Sequence, residues 1–194
     1  VLFITGIPYA LGVIGANLAG AAIVVVIAAW LVPAPEVDDP GKIQAINAIV
    51  LAAYLLIAIP VGVVWTVRAI RPGTRWLIEE REPTSFEQNA SLRIPRVQLK
   101  VLATLWLIAG VIIIPLNAVY ALKLAPFIAI ALLMGLLATC GLGYILAERL
   151  SRGIAQRALQ AGVPERPVAL GVASRMLIVW TLSTGIPILG VVLI

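Results

Sequence analysis

The sequence of 194 residues contains no histidine and a single cysteine. Without histidine the chain has no Ser-His triad, no His-based metal site and none of the most common general bases. The lone Cys140 can form neither an intrachain disulfide nor a thiolate cluster that would hold zinc. Charge is also scarce, at 12% of the residues. The sequence therefore predicts no catalytic, cofactor-binding or metal-binding residue in this segment.

Apolar residues take the place of the missing charges, at 62% of the chain. A helix needs about 20 apolar residues to cross a hydrocarbon core of ~30 Å. Five apolar stretches are that long, and runs within them such as GAAIVVVIAAW lack the alternation of barrel strands. We therefore predict an all-α fold, a polytopic transmembrane helical bundle. Its five helices are expected at about residues 2–32, 43–67, 99–120, 124–147 and 176–194.

The basic residues predict the orientation of these helices. Twelve of the fourteen Lys and Arg lie on one side of the predicted bundle, eleven of them in two long loops at about residues 68–98 and 148–175 and Lys100 just after the first loop, whereas the opposite loops contain only Lys42 and Lys123. The positive-inside rule places both long loops in the cytoplasm of a multi-pass plasma-membrane protein. Because the arginines lie at membrane ends, without interleaved aromatic residues, nucleic acid is not expected as a partner.

Both ends of the chain lie within apolar runs, at Val1 and in the final ILGVVLI. We therefore expect the chain to be a segment of a longer protein. Five helices that start in the cytoplasm finish outside, so a sixth helix is expected after them.

Small residues on two helices predict close helix packing. At every fourth position, small side chains let two helix backbones approach each other within a membrane. On the first helix Asn17 lies within such a line, and it needs a hydrogen-bond partner on another helix: Asn117, Tyr54 or a backbone carbonyl. The predicted helix-interface residues are Gly12, Ala16, Asn17, Gly20, Gly135, Thr139 and Gly143.

The first long loop contains the densest group of charges, in RWLIEEREPT. Thr84 and Glu87 have the spacing of a capping box, which predicts a short helix through SFEQNAS. We expect an ordered loop that contacts a following domain or the lipid headgroups. Alternatively, its charges pair with one another or only fix the topology. The predicted coupling residues are Arg75, Trp76, Glu79, Glu80, Arg81, Thr84 and Glu87.

The second long loop begins with ERLSRGIAQRALQAG. Its pattern predicts an amphipathic extension of the fourth helix near the headgroups, with Leu150, Ile154 and Leu159 on one face. Gly162 and Pro164 are expected to end this extension.

Four stretches together carry a resemblance: ANLAG, RWLIEEREPT followed by EQN, ALQAGVPERP, and SRMLIVWTLSTGIPILGV. In this order they resemble the membrane domain of mycobacterial class III adenylate cyclases. In that family six transmembrane helices precede a HAMP linker and a cytoplasmic cyclase domain. The sixth helix, the HAMP segment and the metal-binding aspartates of the cyclase are absent from this chain, so no catalytic residue is carried over.

The resemblance implies a membrane anchor and sensor module for an enzyme that makes cyclic AMP from ATP. The parent protein would be a homodimer, with membrane lipids and its own HAMP and cyclase domains as partners. Mg or Mn would be needed only by the absent catalytic domain. The alternative is a small-molecule transporter or lipid-binding membrane protein without a cyclase domain. It is disfavoured because the apolar cores lack ionisable residues.

Overall fold

The computed structural model describes residues 2–26, 36–162, 176–177, 180–185 and 188. Within these ranges the fold is all-α and contains no strand. All helices except the third are long and apolar enough to cross a membrane. The prediction of an all-α transmembrane bundle is therefore confirmed. The helices are α1 (Leu2–Val26), α2 (Pro40–Ile78), α3 (Ser85–Leu92), α4 (Ile94–Tyr120) and α5 (Leu124–Gln160), and a π-helical turn spans Thr181–Gly185.

Helix α5 lies at the centre of the bundle, because it packs against α1, α3 and α4. Helix α2 packs against α4 and α3 and makes few contacts with α1. In the apolar stretch of 18 residues that could cross the membrane, 50% of the residues are buried in α5 but only 11% in α2. Most of α2 therefore presents its apolar side chains outwards, as expected of a helix that faces lipid.

Two clusters of buried side chains hold α1, α4 and α5 together. One surrounds Ala131 and Leu132 of α5 and includes Val24 of α1 and Ile113 of α4. The other joins Tyr9 and Val13 of α1 to Leu102 of α4 and Ala147 of α5. Since α1 and α5 run antiparallel, the two clusters lie near opposite ends of the bundle.

Two of the helices are longer than predicted. Helix α2 continues to Ile78 rather than 67, and α4 begins at Ile94 rather than 99, whereas the end of α5 at Gln160 agrees with the predicted extension of that helix. The predicted loop 68–98 is therefore mostly helical. Charged and proline residues suggested a break, yet a helix that leaves the hydrocarbon can continue in water while its arginines are solvated.

Three parts of the prediction lie outside the described residues: the first helix beyond residue 26, the helix-ending signal Pro164, and most of the helix expected at 176–194. The amphipathic extension after residue 147 is present, with one correction. Leu150 and Ile154 pack against the buried cluster, whereas Leu159 is exposed and Ala158 is fully buried instead. Positions 150, 154 and 158 are spaced by four, so they share one face of the helix better than 159 does.

Local capping signals place the helix ends. The side chain of Asp39 accepts a hydrogen bond from the Lys42 amide, and Pro40 occupies the first turn of α2. At α3 the predicted capping box is confirmed, with Thr84 and Glu87 bonded reciprocally. Pro95 lies in the first turn of α4, where its missing N–H costs nothing.

Candidate functional site

The charged turn between α2 and α3 is organised around Arg81. Its guanidinium donates two hydrogen bonds to the Glu87 carboxylate, at 2.5 and 2.7 Å. A third hydrogen bond, of 2.7 Å, goes to Glu79, which also accepts from Arg75 at 2.5 Å. The expectation that these charges pair with one another is therefore met, and the pairs form one network rather than isolated contacts.

This network shifts the acidity of its carboxyl groups. Hydrogen bonds from Arg81 and from Thr84 lower the pKa of Glu87 to about 2. Hydrogen bonds from Arg75 and Arg81 likewise lower the pKa of Glu79. The same carboxylates raise the pKa of Arg81. Both acids therefore stay ionised at neutral pH, and Glu87 does so while mostly buried.

Glu80 is exposed and stands apart from this network. Its φ is 50°, a left-handed conformation that turns the chain directly after α2 ends. Of the predicted coupling residues, Glu80 thus has a backbone role, and the structure shows no hydrogen bond from its side chain within the described part of the chain.

Trp76 joins α2 to α3. Its side chain is 5% exposed, and its indole N–H lies 3.0 Å from the Gly73 carbonyl and 3.1 Å from the Ser91 hydroxyl. The Ser91 hydroxyl in turn lies 2.7 Å from the Gly73 carbonyl. Burying an indole and a hydroxyl requires such partners. The two helices are therefore held at one defined crossing.

Gly73 allows this crossing. A Cβ atom at this position would lie 2.8 Å from the Ser91 amide nitrogen and 2.9 Å from the Ala90 carbonyl carbon. Both are backbone atoms of α3, which cannot move aside as a side chain could. The backbone of α3 therefore requires a glycine at residue 73.

Gln88 connects α3 to the end of α5. Its side-chain amide donates to the Ala158 carbonyl at 2.9 Å and to the Gly162 carbonyl at 2.5 Å. These carbonyls lie in the last turn of α5 and just beyond it, where no further helical N–H can bond them. We call Gly73, Trp76, Gln88 and Ser91 the α3 clamp, because together they attach α2 and α5 to the same short helix.

The predicted small-residue lines lie between α1 and α5. A Cβ on Gly20 would collide with the Thr139 hydroxyl, and one on Gly12 would collide with Leu146. Gly135 lies against Val24, and Gly143 against Leu102 of α4. Ala16 is buried as well. In contrast, Gly15 has no neighbour within 4 Å, so only one line of glycines on α1 packs closely.

The expected partner for Asn17 on another helix is not observed. Its side-chain amide donates to the Val13 carbonyl of its own helix at 2.9 Å, because a residue four positions earlier is within easy reach. Asn117 instead pairs with Asn47, through two reciprocal hydrogen bonds of 2.8 Å. Tyr54 donates to the Leu105 carbonyl. The polar link within the membrane therefore joins α2 to α4.

A second polar pair lies closer to the α3 clamp. The Tyr9 hydroxyl donates to the side-chain carbonyl of Gln98 at 3.0 Å, and Gln98 is fully buried. The amide nitrogen of Gln98 and the hydroxyl of Thr66 have no hydrogen-bond partner in the described part of the chain. Both residues line one small cleft between α2 and α4.

Sequence reasoning missed the residues that make these connections. Gly73, Gln88, Ser91 and Asn47 were not among the predicted site residues. Gln88 and Ser91 lie at four-residue intervals from Thr84 and Glu87, on one face of α3, so their helical spacing was a usable signal. Within the described ranges no three His, Cys, Asp or Glu residues lie close enough together to hold a metal ion.

Comparison with known proteins finds mycobacterial relatives. An uncharacterized protein of Mycobacterium tuberculosis is 32% identical over 184 residues, which are 91% of this chain and 33% of the relative. An uncharacterized protein of Mycobacterium bovis gives the same figures. A further uncharacterized protein of M. tuberculosis is 30% identical over 145 residues, covering 74% of this chain and 25% of the relative. The chain thus spans about a quarter to a third of the length of these relatives.

No family model and no solved structure matches the chain.

Proposed function

We propose that this chain is the membrane domain of a class III adenylate cyclase, acting as the anchor and sensor of an enzyme that makes cyclic AMP from ATP. The observation that carries the proposal is the α3 clamp. From α3, Gln88 donates to carbonyls at the end of α5. Ser91 of the same helix accepts a hydrogen bond from Trp76 near the end of α2. A displacement of α2 would therefore move the end of α5, on the side of the membrane where the following domain is proposed to lie.

The mycobacterial relatives support the same proposal. They match this chain over most of its length, yet about two thirds of each relative lies outside the match. That length has room for a HAMP linker and a cyclase domain. From the resemblance of the sequence to cyclase membrane domains, we infer that this remaining part forms cyclic AMP from ATP and needs Mg or Mn.

The proposed mechanism is a shift between two packing states of the helices. Cyclase active sites of this class form between two protomers, so the membrane domains would hold two chains together and bias their relative position. The prolines inside α2 and α4, Pro60, Pro72 and Pro115, each remove a helical hydrogen bond and ease bending there.

The test of this proposal is the formation of cyclic AMP from ATP by the complete gene product. Purified with Mg²⁺ or Mn²⁺, the complete protein should be active, and its 194-residue membrane segment should be inactive. A complete protein without cyclase activity, or a gene that stops after Ile194, would overturn the proposal.

The orientation proposed for the chain has a separate test. A cysteine introduced at Thr84 should resist an impermeant thiol reagent added to intact cells, whereas one introduced at Asp38 should react. The opposite pattern would place the arginine-rich loops outside the cell.

A further inference from the structure

An apolar cavity of about 260 Å³ lies between α1, α2 and α5, near the α3 clamp. Helices α1 and α2 make few contacts with each other, and this gap is where they separate. The walls are mostly aliphatic and include Ala10, Val63, Val67 and Ile154. Such a cavity is suited to a hydrocarbon chain.

Polar groups occur on the α2 wall of the cavity. Arg71 and Thr74 line it, and the side chain of Arg71 is exposed and forms no ion pair within the described ranges. Thr66, only 3% exposed, also lines the cavity, with a hydroxyl that has no partner in the described part of the chain.

The charge around the cavity favours a phosphate headgroup. Arg68 lies within one turn of Arg71 along α2, and Arg149 and Arg152 lie beside the cavity residues Leu150 and Ser151 of α5. All these arginines are exposed. Basic pockets between transmembrane helices at a cytoplasmic surface are typical sites for anionic lipid headgroups.

We propose that this cavity binds one anionic phospholipid of the inner leaflet, with an acyl chain between α1, α2 and α5 and the phosphate at Arg71. An acyl chain there would separate α1 from α2, and α2 is attached to the end of α5 through the α3 clamp. The lipid would thus act on the same helices that the sensor proposal requires to move.

This inference names a ligand for the proposed sensor, and its choice of leaflet rests on that proposal. Lipid retention is measured by mass and cyclase activity by cyclic AMP, so either can fail without the other.

The test is native mass spectrometry of the complete gene product, delipidated in detergent and mixed with phosphatidylglycerol, phosphatidylcholine or oleate. We expect one phosphatidylglycerol retained per chain, and less retention of the other two. Arg71→Gln should weaken retention about fivefold, the effect of one basic residue worth about 1 kcal/mol. The matched control is Arg157→Gln, which removes the same charge from an exposed position near the end of α5, outside the cavity wall.

A second pair of variants tests the apolar part of the cavity. Ala10→Phe would fill the space between the helices, whereas Leu11→Phe places the same ring at the neighbouring exposed position. We expect retention to fall with the first variant and to persist with the second. Equal effects within either matched pair, or stronger retention of oleate than of phosphatidylglycerol, would overturn the proposal.

Discussion

Gln88 and Ala158 are seventy positions apart in the sequence, and a hydrogen bond of 2.9 Å joins them at the arginine-rich end of the bundle. Gln88 belongs to a helix of eight residues, and Ala158 to the last turn of one of 37 residues. A short helix thus bonds the end of the most buried of the long helices. Because the same short helix is bonded to Trp76, the ends of α2 and α5 are mechanically linked.

The crossing of α2 and α3 can be tested by adding one methyl group. Gly73→Ala would place a carbon against the backbone of α3, and we expect a loss of stability of about 1–3 kcal/mol, typical of overpacking. The measurement is thermal unfolding in detergent, followed by helical circular dichroism. Gly153→Ala, at an open position of α5, is the control and should be neutral or slightly stabilising. Equal unfolding temperatures for both variants would contradict the packing described for Gly73.

The ion pair of Glu87 with Arg81 predicts a dependence of stability on pH. The pKa of Glu87 is about 2 in the folded protein, below its ordinary value of 4.5. The pair therefore contributes fully above pH 4.5, and its contribution is lost as the pH falls through 2. The unfolding temperature of the parent should fall more over this interval than that of Glu87→Gln.

The control for that experiment is Glu82→Gln. Glu82 is exposed, and its side chain forms no ion pair in the described ranges. This variant should follow the parent curve. If Glu87→Gln also followed the parent curve, the Arg81 network would have no role in stability.

The close packing of α1 on α5 predicts different outcomes for two glycines of one helix. Gly20→Leu would force the Thr139 side of α5 away, with an expected cost of about 1–3 kcal/mol or more. Gly15→Leu adds the same side chain at an open position and should cost little. Unfolding in mixed detergent micelles with increasing dodecyl sulfate measures both. A larger effect at Gly15 would reverse the assignment of the packed face.

The reciprocal pair of Asn47 with Asn117 predicts a coupling between α2 and α4. Each single change to alanine should cost about 0.5–2 kcal/mol, the usual range for hydrogen bonds between membrane helices. Each single variant already breaks the pair. The double variant should therefore cost less stability than the two single variants added together. Additive costs in a double-mutant cycle would show that the pair is not coupled.

Composition and hydrophobic runs predicted the class of fold, because a chain that crosses a bilayer must satisfy its backbone hydrogen bonds within helices or a closed barrel, and these runs lack the alternation of barrel strands. They did not predict where helices end in water, as α2 shows by continuing past Pro72 and Gly73 to Ile78. There the apolar run stops, but tertiary contacts with α3 extend the helix.

The candidate site was predicted unevenly for a similar reason. The capping box of Thr84 and Glu87 is local in sequence, so its spacing was enough to find it. The spacing of small residues identified Gly12 and Gly20, but not which of the α1 faces meets α5. The bond partners of Asn117, and the contact of Gln88 with α5, depend on how helices are arranged in space. No local pattern in the sequence contains that information.

The most direct test of the central claim is the rate of cyclic AMP formation by the complete gene product when the α3 clamp is released. Gln88→Ala removes the hydrogen bonds to Ala158 and Gly162, whereas Asn89→Ala changes an exposed amide that bonds only within α3. We predict that Gln88→Ala changes the cyclase rate by about fivefold, as a loss of about 1 kcal/mol in a poised two-state equilibrium would, while Asn89→Ala keeps the parent rate. A Gln88→Ala enzyme with the rate of the parent, or a parent protein that forms no cyclic AMP, would contradict the account.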